Sequence, residues 1–408
     1  MKAVAALVAA VVLAVLPTAA GAADPGSAPG QVRAYVQPSL VHLQVSWEGY
    51  VWDTVRKEYV RGGRPFEVDT HCTGYVVNPR GYVATSGHCV DPKGQSYRAI
   101  AAQAARHQTG GGRYPDGVTV AEVAANLRVE GYDTSDRGPD RAVEAAWGVP
   151  VAGMRPGRPH PARVLGYRSV DRGDVAVLKV AAAGLPALAL ADREPLEVGT
   201  RIVSVGYRGS VEPVPDRSFL ASARAATIRA RTAQGGAVTG YTLSAPPPDG
   251  AGGGPVVGPD GDVVGFAAAP ATPTAPTAKR SGRPAARGTA FVRPASVVTR
   301  MLADIGVRNR PGATAAAYRA GLDAYFAGDK ETAVARLRAV VRDGPPHAMA
   351  AVYLDKAREL EEPETMPIPS ENGGDVPVMA LAVGGGGAAL LVALGGLLLV
   401  RRRRSPAP

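Results

Sequence analysis

The chain is expected to be mainly β, with its helices gathered in an insertion and near the C-terminus. Three observations predict this. Short valine-rich runs recur between turns, as in Tyr75-Val76-Val77 and Tyr82-Val83-Ala84 around Asn78-Pro79-Arg80-Gly81. The 408 residues include 50 glycines and 36 prolines, enough to punctuate many short strands. Hydrophobic residues make up 46% but aromatic ones only 5%, so alanine and valine must fill the core.

Along the chain, Met1-Lys2 is a positive start, Ala3 to Leu16 an apolar run and Ala20-Gly21-Ala22 a small-residue cleavage pattern. Residues 1–22 therefore read as a secretory signal. The stretch from Cys72 to Cys89 reads as two strands around a turn, ending on His88. Cys72 and Cys89 are the two cysteines; outside the cytoplasm such a pair favours a disulfide, and two thiols without a spaced histidine cluster cannot make a tetrahedral zinc site. Residues 92–149 read as a helical insertion, with helical spacing at Ala99 to Arg106 and Thr119 to Arg128 and breaks at Gly110-Gly111-Gly112 and Gly138-Pro139.

Strand patterning resumes at Pro161 to Tyr167 and in Asp174-Val175-Ala176-Val177-Leu178-Lys179-Val180. Further strands are expected at Ile202 to Val205, Ser218 to Arg231 and Ala237 to Leu243. Then comes Gly250-Ala251-Gly252-Gly253-Gly254-Pro255, followed by Val256-Val257, a turn, and Val263-Val264-Gly265. Taken alone, that glycine run is a flexible turn between two strands.

Taken together, these motifs resemble the trypsin-like serine proteases, closest to the bacterial HtrA/Deg group. The resemblance spans about residues 35–307 and implies a double six-stranded β-barrel. It implies that His88 is the general base and that Asp174, rather than Asp171, is the aspartate that fixes its tautomer. The family pattern Gly-Asn/Asp-Ser-Gly-Gly-Pro places the nucleophile at Gly252, where the serine is missing. Backbone N–H groups of Gly250 and Gly252 would form the oxyanion hole. The cysteines match the family disulfide, which joins the first hairpin strand to the cysteine after the catalytic histidine. No cofactor or metal is implied.

Residues 267–287 are rich in Ala, Pro and Thr and read as a disordered surface loop. The run from Gly288 to Leu302 resembles the family's last strand and closing helix. In place of a PDZ pattern, residues 312–362 read as a helical hairpin. Tyr318, Gly321, Leu322, Tyr325, Gly328, Ala333, Leu337 and Pro345 there are similar to one tetratricopeptide repeat, with one more helix from Ala348. Residues 363–375 are a polar linker. Residues 376–400 are apolar and uncharged over a bilayer's thickness, and 401–408 begin with four arginines. The expectation is a single-pass cell-membrane protein, its body outside and its C-terminus cytoplasmic.

The formal charge of +10 is scattered, without Lys/Arg runs interleaved with aromatics, which argues against nucleic acid. Three functions follow. The first is a pseudoprotease that binds peptides, unfolded segments or a partner protein without cleaving, on the feature of Gly252 beside His88 and Asp174. The second is an active serine endopeptidase with a displaced nucleophile, Ser244 being the nearest upstream hydroxyl. The third makes the helical hairpin a partner-binding scaffold.

Overall fold

The computed structural model describes residues 28–133, 138–192, 195–207, 221–269 and 290–361. The expected signal (1–22), linker (363–375), apolar span (376–400) and tail (401–408) lie outside these residues, as does all but the start of the 267–287 loop.

A short helix, α1 (Ala28–Val36), leads into β1 (Leu40–Asp53). Along β1, Leu43, Val45, Trp47 and Val51 are buried while Gln44, Ser46 and Glu48 face the other way, the period-2 pattern of a half-buried strand. There follow β2 (Glu58–Tyr59), β3 (Phe66–Asn78), β4 (Tyr82–Thr85), α2 (Gln95–Gly110), α3 (Val120–Ala125), β5 (Leu127–Glu130), β6 (Asp140–Ala146), β7 (His160–Arg168) and β8 (Val175–Val180). The order β1-β3-β4-β8-β7-β6 closes on itself because β6 also pairs with β1, giving a six-stranded barrel; β2 and β5 pair with the far end of β1. The hairpin read between Cys72 and Thr85 is the β3–β4 pair, in register at Tyr75–Ala84 and Val76–Val83.

The segment 92–149 is not helical throughout. Its helices are present, and Thr119 with Glu122 forms a reciprocal cap at the start of α3. Beyond Ala125 the chain turns into strand, so Leu127 and Arg128 belong to β5, and β6 completes the first barrel. In β6, Ala142, Ala145 and Ala146 carry weak strand propensity, and the strand forms because β1 supplies its ladder from a hundred residues upstream.

The second barrel uses β9 (Arg201–Tyr207), β10 (Ala221–Gln234), β11 (Ala237–Leu243), β12 (Pro255–Val257), β13 (Val263–Ala267) and β14 (Phe291–Pro294), closed in the order β10-β11-β14-β13-β12-β9. Leu185 to Leu190 crosses between the barrels, with Leu188 N–H donating to Val76 O at 2.9 Å. One apolar cluster spans the junction, joining Tyr75, Val77 and Val177 of the first barrel to Val203, Val205 and Phe266 of the second. Helix α4 (Ala295–Asp304) seals it with Val297, Val298, Met301 and Leu302.

Three helices follow, two in the expected hairpin and one more from Ala348: α5 (Ala313–Phe326), α6 (Lys330–Asp343) and α7 (Ala348–Arg358), packed through Tyr318, Leu322, Leu337, Val340, Tyr353 and Leu354. They are fixed to the barrels at both ends. Tyr318 donates to Ala34 O at 3.1 Å, Arg319 pairs with Asp262 at 2.8 Å, and Ala152 N–H donates to Pro346 O at 2.7 Å.

No helix among the described residues is long and apolar enough to cross a membrane. This corrects the expected single-pass topology. That topology rested on residues 376–400 alone, and a span requires about 20 apolar residues in one continuous helix.

Candidate active site

His88 sits in a tight 3-10 turn, Gly87–Cys89, immediately after β4. Its ring faces Asp174, the residue immediately before β8. Asp174 is fully buried and holds φ at +51°, a conformation rare for a residue with a side chain and one that concentrates at functional sites. Both carboxylate oxygens approach His88 Nδ1, at 3.0 and 2.9 Å. Oδ1 also accepts the His88 backbone N–H at 2.8 Å, and Oδ2 accepts the Ala269 N–H at 2.7 Å. A carboxylate only accepts, so Nδ1 carries the proton and Nε2 is left as the free base. Asp171 lies exposed nearby and takes the Ser169 hydroxyl instead.

Burial opposes the charged form of each partner, and the pairing outweighs it. The charge and hydrogen bond of Asp174, with a smaller contribution from the charge of Asp91, hold the His88 pKa above its ordinary 6.5. His88 and the amides of Ala269 and His88 hold Asp174 below its ordinary 3.8. The raised imidazole contributes stability that is full below pH 6.5 and is lost as pH rises through its folded value. The depressed carboxylate contributes stability present above pH 3.8 and lost as pH falls through its folded value. Urea unfolding of the native chain and of His88→Ala should therefore differ most between pH 3.8 and 6.5, and converge on the alkaline side.

Cys72 and Cys89 are joined, tying β3 to the turn that carries His88. They and His88 form the one grouping of potential metal ligands among the described residues, but both sulfurs are committed to each other. At a sequence separation of 17, removing the bond by Cys72→Ala with Cys89→Ala should cost about 3 kcal/mol of stability in denaturant titration.

The glycine run lies against this pair, and its backbone is anchored. Thr73 N–H donates to Gly252 O at 2.8 Å, and the Thr73 hydroxyl donates to Gly250 O at 3.1 Å. Gly253 N–H donates to Ala267 O at 2.8 Å and Gly254 N–H to Ala251 O at 2.7 Å. The run is thus not the loose turn its composition suggests. Among the described residues, the N–H groups of Gly250 and Gly252 have no hydrogen-bond partner. Those are the two amides assigned above to an oxyanion hole.

A methyl carbon built on Gly252 would lie 3.4 Å from His88 Nε2 and touch no atom outside that ring. The position where a nucleophile's side chain would meet the base is therefore open, and it is occupied by glycine. The neighbouring hydroxyls point elsewhere. Thr85 donates to Thr73 O and Ser86 to Ala267 O, each at 2.8 Å. The Ser244 hydroxyl accepts the Thr227 N–H at 2.9 Å.

A model of the trypsin-like peptidase domain matches residues 72–266. That segment is a trypsin-like peptidase domain. Among solved structures, the active form of the Rv3671c protease from M. tuberculosis is similar to the chain. The two are 21% identical, the match covers 74% of this chain and 97% of that one, and the TM-score is 0.39. No curated protein matches the chain.

His88, Asp174, Gly250, Gly252, Cys72 and Cys89, the residues expected from the sequence, are brought together by the fold. Two further residues act at the site without being expected there: Ala269, whose amide steadies Asp174, and Thr73, which anchors two carbonyls of the glycine run. Neither carries a side-chain signal for its role, because one acts through its backbone and the other through contacts about 180 residues away in sequence.

Proposed function

We propose that this chain is a peptidase homologue whose cleft binds extended peptide segments, from unfolded or partner proteins, without cleaving them. The observation that supports this reading is the open, side-chain-free position at Gly252, 3.4 Å (as an ideal Cβ) from a correctly oriented base. Acyl transfer on this constellation needs a hydroxyl that the base can deprotonate and that then bonds the substrate carbon. His88 has the tautomer for the task and nothing to deprotonate. Anchored strands and two unpartnered amides still suit a bound peptide, whose carbonyl can take the N–H groups of Gly250 and Gly252.

The test uses the full chain with a fluorophosphonate probe and with unfolded casein. The expected result is no label and no cleavage, together with saturable binding of a fluorescent casein peptide. Labelling of the native chain at any serine would sink the proposal and would identify the displaced nucleophile.

A further inference from the structure

Strand β3 has a partner on both sides only along part of its length. On one side β1 pairs with it continuously from Tyr75 to Phe66, with no shift in register. On the other side β4 covers Tyr75 to Asn78. Next along that side is Thr73, whose N–H donates to Gly252 O and whose carbonyl accepts the Thr85 hydroxyl. In an antiparallel ladder the backbone groups of alternate residues turn to the same side. Since Thr73 turns away from β1, so do His71, Asp69 and Glu67. Their N–H and C=O groups have no backbone partner among the described residues, and Asp69 and Glu67 are exposed. Among the described residues, an unpaired strand edge therefore begins where the glycine run ends.

The side chains beside that edge are acidic. Glu67 lies directly opposite Glu48 on β1, and Glu48 lies directly opposite Asp140 on β6. Three carboxylates thus stand in one row across three strands, an arrangement that repels when unaccompanied. One pair of residues nearer the cleft, Asp69 faces Ser46 and accepts its hydroxyl at 2.7 Å. None of Glu48, Glu67, Asp69 and Asp140 has an ion-pair partner among the described residues, although the chain as a whole carries +10.

We propose that the free edge of β3 at Glu67, Asp69 and His71 receives an extended peptide carrying lysine or arginine at every second position, entering from the cleft beside Gly252. The proposal rests on the peptide-binding reading of that cleft and adds the chemistry of what is bound. An added strand makes main-chain bonds to the three outward residues, the β-augmentation mode. Its alternate side chains, about 6.6 Å apart, fall beside Asp69 and Glu67 and meet the carboxylate row. Acidic side chains also discourage unselective edge-to-edge pairing, so the charge selects which strand docks.

The test measures binding of a short peptide alternating lysine and threonine to the full chain by fluorescence anisotropy, with hydrogen exchange followed in parallel. A peptide alternating glutamate and threonine serves as the counterpart. The lysine peptide should bind, the glutamate peptide should not, and the amides of Glu67, Asp69 and His71 should become protected. Glu67→Lys with Asp69→Lys should weaken lysine-peptide binding about tenfold, and the native affinity should fall toward the same value in 1 M salt, where charges are screened within about 3 Å. That variant relieves the like-charge row, so its thermal midpoint should hold or rise. Asp69→Pro removes an N–H that faces away from β1 and should also weaken binding, without the cost of a broken ladder bond. Equal binding of both peptides, indifference to both variants, or protection that appears elsewhere would each overturn the proposal. Fluorophosphonate labelling of Gly252→Ser reports the cleft separately. If that variant labels while the edge variants change nothing, only this inference falls. If it stays silent while the edge still binds, the cleft reading falls.

Discussion

Gly252→Ser is expected to turn a silent chain into one that labels with a fluorophosphonate and cuts unfolded protein. The position accepts a side chain on both counts that matter. Its backbone does not require positive φ, and an added Cβ meets only the imidazole edge, at ordinary contact distance. The hydroxyl would then sit beside Nε2, the nitrogen that Asp174 leaves unprotonated. Losing the nucleophile of a complete serine-protease site costs on the order of 10⁶ in kcat. Restoring it on a site that already holds base, aspartate and two free amides should gain about 10³ or more. Activity of the variant should rise with pH along a limb set by His88 and therefore above 6.5, because only the neutral imidazole takes the serine proton. Adding Asp174→Asn should lower kcat by about 10⁴, through the wrong tautomer. A Gly252→Ser chain that folds, keeps its disulfide and remains unlabelled would show that the cleft does not present the alcohol to the probe.

Gly253→Ala, one residue further, should do the opposite and unfold or loosen the site. Gly253 holds φ at +82°, where an L side chain is strained, and its Cβ would collide with the Thr85 hydroxyl and the Thr73 carbonyl and come within 2.8 Å of Ser86 N. Two of those three atoms are backbone and cannot swing aside. Overpacking costs about 1–3 kcal/mol and the left-handed conformation about 1–2 more. A loss of about 3 kcal/mol or more is expected in urea titration, with slower labelling when the change is made on Gly252→Ser. Adjacent glycines thus differ. The one at 253 is required by the fold, whereas the one at 252 has room for a side chain and lacks one. A Gly253→Ala variant as stable as the native chain would contradict the packing around Thr85.

Which chemistry could be present is already set by the residues themselves. His88, Asp174 and the glycine run carry their identity in local patterns, and no arrangement of Gly250 to Gly254 can supply a hydroxyl. Short apolar runs bounded by turn residues in β3, β4 and β8 made the first hairpin and the aspartate strand legible, since a strand buried on both faces reads as a near-continuous apolar run. The alanine-rich β6 was not legible, because its strand character comes from pairing with β1 rather than from its own residues. The apolar run at 376–400 suggested a span, and no described helix provides one. That the glycine run is anchored rather than loose is visible in the fold and not in the chain, because the anchor is Thr73, far away in sequence. The fold alone showed that a side chain at 252 would meet Nε2, that Ala269 steadies Asp174, and that among the described residues β3 keeps an unpaired, acid-lined edge. Each of those is a contact between distant segments, and a hydrogen bond or a row of like charges exists only once the fold has brought its members within a few ångströms.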